Sequence, residues 1–257
     1  MFTLERQQKI MEHIKENKKA TVTELAEKYF NSEATIRRDL DALQAQGVIK
    51  RTYGGAIWLE GLDSEIPLYM REGEFKHEKE TIAQLAAGMV KDGDVIILDS
   101  SSTTHEMVKF LRGKKNITVL TNGAKTALSL ASLHINVFST GGKMRENSLS
   151  YIGDIAKISI KNFCANKLFF SCRAISSTYG LLDSSIEEAE LRRYMMAQSQ
   201  SSILLCSDDK FEKSSFYHIC DINRINCLVT NSLPPEPILG QIKEYGVQII
   251  TPQYQYK

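Results

Sequence analysis

The feature that most constrains this chain is an alternation of short β-branched runs with amphipathic segments of helical length, which begins at Asp94. Strands separated by helix-length segments are typical of βαβ units, in which successive strands lie parallel. The sequence therefore predicts a C-terminal α/β domain built on a mainly parallel sheet. The predicted strands are residues 95–98, 117–120, 135–138, 168–171, 203–206, 227–230 and 247–250.

The N-terminal part follows a different pattern, with helical periodicity first and a glycine-centred hairpin after it. Thr21 stands three residues before Glu24, which is the spacing of a capping box, and predicts a helix that begins near Val22. Ser32 can cap a second helix, which runs to Gln46 and stops at a glycine. The short turn between them is what a helix-turn-helix requires. The apolar face of the first of these helices is formed by Leu25, Ala26, Tyr29 and Phe30, and an earlier helix packs through Ile10, Met11 and Ile14.

The second helix of this motif has a buried stripe and a polar side. Its apolar residues Ile36, Leu40 and Leu43 recur at i, i+4 and i+7, which places them on one side of a helix. Asp39 lies beside this stripe, so we expect it to pair with an arginine inside the domain. Short side chains near the helix start allow close approach to base edges, and arginines can reach phosphates or guanine. The predicted DNA contacts of this motif are Thr21, Ser32, Ala34, Thr35, Arg37 and Arg38.

A wing is predicted directly after these helices. Two β-rich runs surround Gly54 and Gly55, which is a hairpin signal. Lys50 and Arg51 at the base of the hairpin suit phosphate contacts, which raise affinity without specifying sequence. These four residues complete the predicted DNA interface.

The patterns divide the chain into two predicted domains and a connection. A winged helix-turn-helix covers residues 1–59, with its helices at about 20–46 and its wing at 48–59. Residues 60–75 mix charges with glycine and proline and are predicted to be a linker. The α/β domain covers residues 76–257.

Other interpretations of the N-terminal domain stay open at this point. The formal net charge of +1 at pH 7 gives no support for a strongly cationic nucleic-acid binder, so DNA affinity must depend on local placement of charge. Paired arginines on a helix are usually a solvated face. A helical segment with a hairpin can also be a dimerisation or protein-binding module. The order and spacing of the features favour the helix-turn-helix.

A set of motifs extends over both predicted domains. The N-terminal motifs are S-E-A-T-I-R-R-D-L at 32–40, Q-G at 46–47 and R-T-Y-G-G-A at 51–56. The C-terminal motifs are E-K-E-T-I-A at 78–83, Leu98-Asp99 with Thr103-Thr104, Thr121-Asn122, Gly141-Gly142 with Arg145, Gly153, and D-D-K-F at 208–211. Together they resemble the signature of the DeoR/GlpR family of bacterial transcription regulators.

The resemblance implies a repressor, or less often an activator, of a sugar or polyol operon, relieved by a phosphorylated intermediate of that pathway. It also implies a sensor domain similar in fold to ribose-5-phosphate isomerase and to CoA-transferase-like enzymes. One winged helix buries only about 600 to 1,000 Å² on DNA, so specific repression generally requires two or more heads. The expected partners are therefore an operator in double-stranded DNA, a phosphorylated sugar, and further copies of the chain in a dimer or tetramer.

The predicted effector site lies beyond the carboxyl ends of the parallel strands, where ligands bind in such sheets. Hydroxyls and free amides there suit a phosphate, and nearby cations suit an anion. This chain has serines where the family usually has a glycine after the aspartate, and Arg173-Ala174 replaces the family's usual small residues. The predicted effector-binding residues are Lys79, Asp99, Ser100, Ser101, Ser102, Thr103, Thr104, Thr121, Asn122, Gly141, Gly142, Arg145, Arg173, Glu188 and Lys210.

Each of these assignments has a simpler alternative. The serine and threonine run can be a helix cap, and the Gly141-Gly142 pair can be a turn. Lys79 can couple ligand to DNA binding or lie on the exposed face of the helix after the linker. Glu188 can accept sugar hydroxyls or only compensate a helix dipole.

The main alternative function is an active sugar-phosphate isomerase with a DNA-binding appendage. Its catalytic candidates are Asp99, Glu188 and Lys210, because the reaction needs a carboxylate base at the reacting carbons. The five histidines show no catalytic or metal-binding spacing. We therefore predict that the chain is not an enzyme and has no cofactor or metal site.

The cysteines and the hydropathy indicate the compartment. Five cysteines form an odd number, show no C-x-x-C pairing, and lie in or beside apolar runs, which favours reduced core residues. The chain becomes polar within a few residues of Met1, and no apolar stretch reaches the eighteen or so residues that a membrane span needs. We expect a cytoplasmic protein with no membrane partner.

Overall fold

The computed structural model describes residues 2–58, 66–253 and 255–256. It divides into two compact units, Met1–Met70 and Arg71–Lys257. Residues 59–65, which include the end of the predicted wing and the first part of the predicted linker, lie outside the described residues. The remainder of the predicted linker contains helix α4 (Leu68–Gly73), and the division between the units falls inside it.

The N-terminal unit combines helices with a small antiparallel sheet. Its core packs the predicted stripe of α3 against the predicted apolar face of α1, and Met70 from α4 is fully buried in the same core. The strands lie in the order β1-β3-β2, so the predicted hairpin gains a third strand that was not predicted. Its other elements are α1 (Thr3–Asn17), β1 (Lys19–Thr21), α2 (Val22–Lys28), α3 (Glu33–Ala45), β2 (Ile49–Thr52) and β3 (Gly55–Trp58).

Capping residues set the ends of the two helices of the helix-turn-helix. Thr21 Oγ1 accepts a hydrogen bond from the amide of Glu24 at 3.2 Å, and Glu24 Oε2 accepts one from the amide of Thr21 at 3.4 Å. Ser32 Oγ accepts from the amide of Thr35 at 3.2 Å. The prediction for Phe30 is wrong. It lies beyond the end of α2 with a φ of +52°, and its side chain is 95% exposed because the helix stops before the apolar face reaches it.

The C-terminal unit is built on a sheet whose described strands lie in the order β16-β15-β14-β12-β9-β4-β5-β6. Each of the seven predicted runs forms one strand, and these seven are all parallel, whereas β16 is antiparallel to β15. The strands are β4 (Val95–Leu98), β5 (Thr118–Thr121), β6 (Asn136–Ser139), β9 (Ala165–Phe170), β12 (Ser199–Leu205), β14 (Cys227–Val229), β15 (Gln248–Ile250) and β16 (Gln255–Tyr256).

Two smaller β structures in this unit were not predicted. One is the hairpin of β7 (Lys143–Arg145) and β8 (Ser150–Ile152), and the other joins β10 (Ala174–Ser176), β11 (Gly180–Asp183) and β13 (Tyr217–Cys220). The helices are α5 (Lys76–Gly88), α6 (Ser102–Glu106), α7 (Ala124–Ser132), α8 (Asp154–Lys161), α9 (Ile186–Ala197) and α10 (Ile238–Glu244), with short 3₁₀ turns at Met107–Phe110, Asp208–Lys210 and Ile222–Arg224.

Apolar cores cover both faces of the large sheet. Ile97 and Phe170 pack with α8, α9 and α10 on one face, whereas Ile96 and Phe169 pack with α5 and α7 on the other. Successive side chains of a strand point to opposite faces. Strands buried on both faces therefore read as continuous apolar runs, which is why the sequence indicated them so clearly.

Cysteine burial follows the prediction at four positions out of five. Cys172, Cys206, Cys220 and Cys227 are buried, and all five cysteines are free thiols. Cys164 is exposed, which corrects its assignment to the core, because it lies in the connection between α8 and β9. No helix of the described residues is long and apolar enough to cross a membrane.

Candidate DNA-binding and effector sites

A buried ion pair fixes the orientation of α3. Asp39 is 2% exposed, its Oδ2 lies 2.5 Å from Nε of Arg6 in α1, and its Oδ1 also accepts from Gln7 Nε2 at 3.2 Å. The prediction that Asp39 pairs with an arginine inside the domain is confirmed. The sequence did not identify Arg6, although its place one turn before the first core residue of α1 was an available signal. This pair holds one side of α3 inward and leaves Arg37 and Arg38 outside.

The outward side of α3 carries Ala34, Arg37 and Arg38, all exposed. Arg37 Nη2 donates to Glu33 Oε2 at 2.8 Å, one turn earlier on the same helix. Arg38 forms no side-chain hydrogen bond or ion pair with another described residue. The arginine available to DNA without breaking an existing contact is therefore Arg38.

Three of the predicted DNA contacts serve as structural groups of the motif. Thr21 and Ser32 are the N-caps of α2 and α3, and the hydroxyls of Ser32 and Thr35 lie 2.9 Å apart. The side-chain oxygens of Thr21 and Ser32 already accept from helix amides, and that of Thr35 is bonded to Ser32. Their direct effect is to set where the two helices begin.

The two cations of the wing have different surroundings. Lys50 is exposed on β2. Arg51 Nη1 donates to Asp41 Oδ1 at 2.6 Å and to the carbonyl of Arg37 at 3.0 Å, so it fastens the hairpin to α3. A phosphate contact by Arg51 must therefore compete with an ion pair, whereas Lys50 is free to make one.

The wing glycines meet two separate backbone requirements. Gly54 lies in the turn with a φ of +97°, which favours glycine. A Cβ at Gly55 would lie 2.2 Å from the carbonyl oxygen of Ala20, so only glycine allows β3 to pair with β1. Tyr53 at the same turn is fully exposed.

In the C-terminal unit, the structure brings the predicted effector loops together. They follow β4, β5 and β9, which are neighbours in the sheet. Asn122 Nδ2 lies 3.5 Å from Ser100 Oγ, and the amide of Ser171 donates to Asp99 Oδ2 at 3.1 Å. Lys210 Nζ donates to Ser171 Oγ at 2.9 Å.

Asp99 organises these loops from within. It is 1% exposed, and its Oδ1 accepts from the amide of Ser101 at 3.0 Å and from Thr104 Oγ1 at 2.8 Å. Its Oδ2 accepts from Ser171 and, at 2.9 Å, from Nε of Arg192. Both oxygens are occupied by the protein, which argues against Asp99 as a holder of sugar hydroxyls. The hydroxyl of Thr104 is likewise committed to Asp99.

Arg192 is the central residue that the sequence reasoning missed. Its guanidinium is buried and binds Asp99, Asp183 Oδ2 at 2.7 Å and Glu188 Oε2 at 3.2 Å. Burial alone would lower the pKa of Arg192, but these three carboxylates raise it above its usual value. The signal was the i, i+4 spacing of Glu188 and Arg192 on α9.

Glu188 is held in its ionised form within this cluster. Its Oε1 accepts from Ser150 Oγ at 2.7 Å, and Ser150 is in turn bonded to Ser148 at 2.8 Å. Burial alone would raise the pKa of Glu188. The charge of Arg192 and the two serine hydroxyls outweigh this effect and lower the pKa to about 2. We therefore assign Glu188 to the support of the site.

Two buried polar atoms at the loops lack partners. Thr103 is 1% exposed and Asn122 is 3% exposed, and neither Thr103 Oγ1 nor Asn122 Oδ1 has a hydrogen-bond partner among the described residues. Buried polar atoms in native proteins are nearly always satisfied. A hydroxyl and an amide oxygen left open on neighbouring loops are the groups that a polar ligand would satisfy.

Three predicted cations lie in one electrostatic region with Arg71. Lys79 is 5% exposed, which corrects the alternative of an exposed lysine, and its Nζ donates to the carbonyl of Arg71. Burial and the charge of Lys210 lower the pKa of Lys79 to about 8. Burial and the charge of Arg71 likewise lower the pKa of Arg173. Glu74 and Asp209 act in the opposite direction and raise the pKa of both groups, so these cations share the region with carboxylates.

The remaining predicted residues have mainly structural surroundings. Arg145 donates to Ser185 Oγ and lies 3.4 Å from Glu187 Oε2. Thr121 Oγ1 accepts from the amide of Gly123 at 3.0 Å. The others of this group are Ser101, which caps α6, buried Ser102, and Gly141 and Gly142, which both have positive φ.

Comparison with known proteins decides the family. A model described as the DeoR C terminal sensor domain matches residues 74–232, and one described as the DeoR-like helix-turn-helix domain matches residues 6–61. This chain belongs to the DeoR family. It is a DNA-binding transcriptional regulator.

Similar proteins cover the DeoR-family chain along most of its length. An uncharacterized HTH-type transcriptional regulator of Bacillus subtilis, YulB, is 38% identical over 90% of each chain. The HTH-type transcriptional regulator GolR of Listeria innocua is 34% identical over 97% of this chain and 98% of its own. Among solved structures, ribose 5-phosphate isomerase A of Methanocaldococcus jannaschii is 14% identical over 54% of this chain and 56% of its own, with a TM-score of 0.41.

These names bear on the alternative functions. The DeoR-family relatives are named as transcriptional regulators, which confirms the prediction that the chain is not an enzyme. The candidate catalytic group Asp99 has both oxygens engaged by the protein. Among the described residues, no group of three or more His, Cys, Asp or Glu side chains could hold a metal ion.

Proposed function

We propose that this DeoR-family regulator is a cytoplasmic repressor of a sugar or polyol operon and that a phosphorylated sugar releases it from its operator. The observation that carries the effector part is the pair of buried, unpartnered atoms Thr103 Oγ1 and Asn122 Oδ1. A relative that is 32% identical over 90% of each chain, AccR of Agrobacterium fabrum, is named a transcriptional repressor. The family resemblance supplies the class of operon and of effector.

The phosphate is proposed to bind the loop at Ser100–Thr104 on the Thr103 hydroxyl, with Arg173, Lys79 and Lys210 as the counter-charges. The clustering of these cations supports an anion there, since the charge of Lys210 adds to burial in lowering the pKa of Lys79, and the charge of Arg71 adds to burial in lowering that of Arg173. Asn122 supplies the acceptor for a sugar hydroxyl. We leave Arg145 and Glu188 out of direct contact, since Ser185 and Glu187 engage the first and Ser150 and Arg192 engage the second.

DNA reading is assigned to the outward side of α3 and to the wing. Ala34 lets the backbone approach a base edge, Arg38 reaches guanine or phosphate, and Lys50 binds phosphate. Two such heads on one assembly give the affinity of a specific repressor, so a homo-oligomer is part of the proposal.

Ligand can change operator affinity only if it binds two conformations differently, and a coupling of about 1 to 3 kcal/mol is typical. Lys79 offers a route, because its ammonium holds the carbonyl of Arg71, the first residue of the sensor unit. An anion that recruits this ammonium weakens its hold on the segment that leads to the DNA-binding unit.

Thr103→Val tests the effector site. It removes one unpartnered hydroxyl at almost constant shape, so we expect the fold and operator binding to remain and release by sugar phosphates to be lost. Calorimetry with pentose and hexose phosphates should show at least a tenfold loss of affinity, which corresponds to one hydrogen bond to a charged group.

Two matched variants control this experiment. Thr103→Ser keeps the hydroxyl and should keep ligand affinity, and Thr81→Val removes a hydroxyl that only bonds the carbonyl of His77 in its own helix. Unchanged ligand affinity in Thr103→Val would place the phosphate elsewhere. Failure of the wild-type chain to shift DNA from its own upstream region would remove the repressor proposal itself.

A further inference from the structure

The two edges of the large sheet differ in how their outermost strands are paired. At one edge, β16 pairs antiparallel with β15. At the other edge, no strand among the described residues pairs with the outer side of β6. Alternate residues of an edge strand point their N–H and C=O groups outward, and soluble proteins usually protect such edges with charges, proline or bulges. The side chains of Asn136, Phe138 and Ser139 are exposed along this edge.

None of the protective charges is present at β6. Residues 126–142, which cover α7 after Lys125, β6 and their connection, contain no Asp, Glu, Lys or Arg, although a quarter of the whole chain is charged. They contain no proline either. An open edge without charge or proline is one that another strand can join.

An apolar flank of α8 extends this edge. Lys157 pairs with Glu190 of α9 at 2.7 Å, so this flank of α8 faces α9. Ile155 and Ile158 lie on the opposite flank and are 67% and 60% exposed. Just beyond the end of α8, the ring of Phe163 contacts that of Phe138 on β6, with centroids 5.3 Å apart. This contact brings the segment after α8 next to β6, and from it we infer that the flank of α8 away from α9 faces the β6 edge.

We propose that a second copy of this chain covers the edge formed by β6 and the Ile155–Ile158 flank of α8, with the two β6 strands paired antiparallel about a two-fold axis. This deepens the oligomer part of the proposed function and names the surface. If the two-fold axis is perpendicular to the sheet, the same face of the sheet points the same way in both copies. The two α8 helices then lie on the same side of the joined sheet and meet at the axis through their apolar flanks. Because such a contact is isologous, the uncharged β6 edge of one copy packs against the same uncharged edge of the other.

The size of the patch fits this occupant. Phe138, Ile155 and Ile158 are 45%, 67% and 60% exposed. Such side chains leave roughly 100 Å² each in water, so together they reach the size of the largest apolar patch on a typical monomer, about 300 to 600 Å². A stable interface buries about 800 Å² per partner, and the backbone edge of β6 with its polar surroundings supplies the remainder.

The test is the mass of the full-length chain by light scattering at micromolar concentration. Ile155→Lys/Ile158→Lys places four like charges at the proposed contact, and we expect the mass to fall to half that of the wild type or less. Leu233→Lys is the matched control, because Leu233 is 47% exposed beyond β14, five strands away from β6. Thermal unfolding of the two variants should show that both remain folded.

A charge-swapped partner checks the two-fold arrangement. Ile155→Glu/Ile158→Glu should also reduce the mass, and mixing it with the lysine variant should restore the wild-type mass. Amide hydrogen exchange at Val137–Ser139 should be slow in the wild type and at least tenfold faster in the lysine variant.

The outcomes separate this inference from the proposed function. A wild-type oligomer that persists in the lysine variant would overturn the β6 surface and leave oligomerisation intact. A wild-type chain that is monomeric, both free and on DNA, would overturn both. Two double variants that remain at reduced mass after mixing would overturn the two-fold contact between α8 helices.

Discussion

The two units of this regulator use buried arginine in opposite ways. In the N-terminal unit, Arg6 and Asp39 form a one-to-one pair that Gln7 completes. In the C-terminal unit, Arg192 alone binds three buried carboxylates. The first pair is neutral by itself, whereas the second cluster holds one positive and three negative formal charges.

This difference reflects what each unit must do. A closed ion pair needs no further partner, and it holds α3 so that the side that we propose to read DNA stays exposed. A cluster with excess negative charge lies in the same unit as Lys79 and Arg173, two cations whose pKa values are lowered by burial and by the charge of Arg71. We propose that a bound anion changes this balance. Unpartnered atoms at Thr103 and Asn122 occur in this second unit. The first unit also has one such atom, Arg51 Nε, but its buried ion pair is closed.

The largest effect that we predict is from Arg192→Met. Removing the one cation leaves three buried carboxylates without their counter-charge, and breaking a buried ion pair in this way costs about 3 to 5 kcal/mol. Urea unfolding of the C-terminal unit, followed by circular dichroism, should shift accordingly. Trp58 is the single tryptophan and belongs to the N-terminal unit, so its fluorescence transition should hardly move. Exposed Arg224→Met is the control, with an expected change within about 0.5 kcal/mol.

Asp39→Asn should have a smaller effect, and in the other unit. It leaves Arg6 charged but keeps an acceptor for Gln7, so we expect a loss of about 2 kcal/mol, visible in Trp58 fluorescence. Arg6→Met/Asp39→Leu should recover most of this loss, because a closed ion pair can be replaced by apolar groups of similar volume. If the double variant is less stable than Asp39→Asn, the Arg6–Asp39 pair depends on further groups. The proposed difference between this pair and the Arg192 cluster would then be wrong.

The sequence predicted the elements of both units better than it predicted their polar interiors. Buried strands and capped helices depend on neighbours along the chain, so the runs at β4 and β5 and the caps at Thr21 and Ser32 were visible. Asp39 was recognised from its angle on α3. Arg192 binds Asp99 from a distant part of the chain, and such contacts follow from topology rather than spacing.

The open β6 edge and the exposed position of Phe30 escaped the sequence for related reasons. A run of apolar residues reads alike in a central strand and in an edge strand, because only the strand order decides which one it becomes. Phe30 continues the apolar period of α2, but the helix ends before it. For Lys79 the sequence left two interpretations open, a coupling residue and an exposed lysine, and it could not show that the side chain is buried.

Function in the N-terminal unit should be separable from its stability. Arg38→Ala removes the outward cation that forms no side-chain hydrogen bond or ion pair with another described residue, so operator affinity should fall about tenfold, within the 1 to 3 kcal/mol typical of such arginines. Both unfolding transitions should stay in place. The control is Lys243→Ala, which removes an exposed cation from α10 of the sensor unit. Unchanged operator affinity in folded Arg38→Ala would remove α3 as the reading helix.

The smallest predicted effect is a pH dependence confined to the sensor unit. Burial and Lys210 lower the pKa of Lys79 to about 8 when no ligand is bound. A bound phosphate favours the ammonium form and raises that pKa, so binding takes up a proton wherever free Lys79 is neutral. Affinity for a sugar phosphate should therefore be highest below pH 8. It should fall as pH rises through that value, by about threefold to tenfold between pH 7 and pH 9.

The phosphate cannot cause this fall, because its second pKa is about 6 and it stays dianionic over the range. Lys79→Arg is the matched variant, since a guanidinium keeps its charge and its affinity should be nearly level from pH 7 to about pH 9. Operator affinity without ligand should also be level, because Lys79 belongs to the sensor unit and is not among the proposed DNA contacts. Calorimetry at three pH values checks the first two expectations, and a gel shift checks the third. An equal fall in wild type and Lys79→Arg would show that Lys79 does not bind the anion, and its part in the coupling would then be withdrawn.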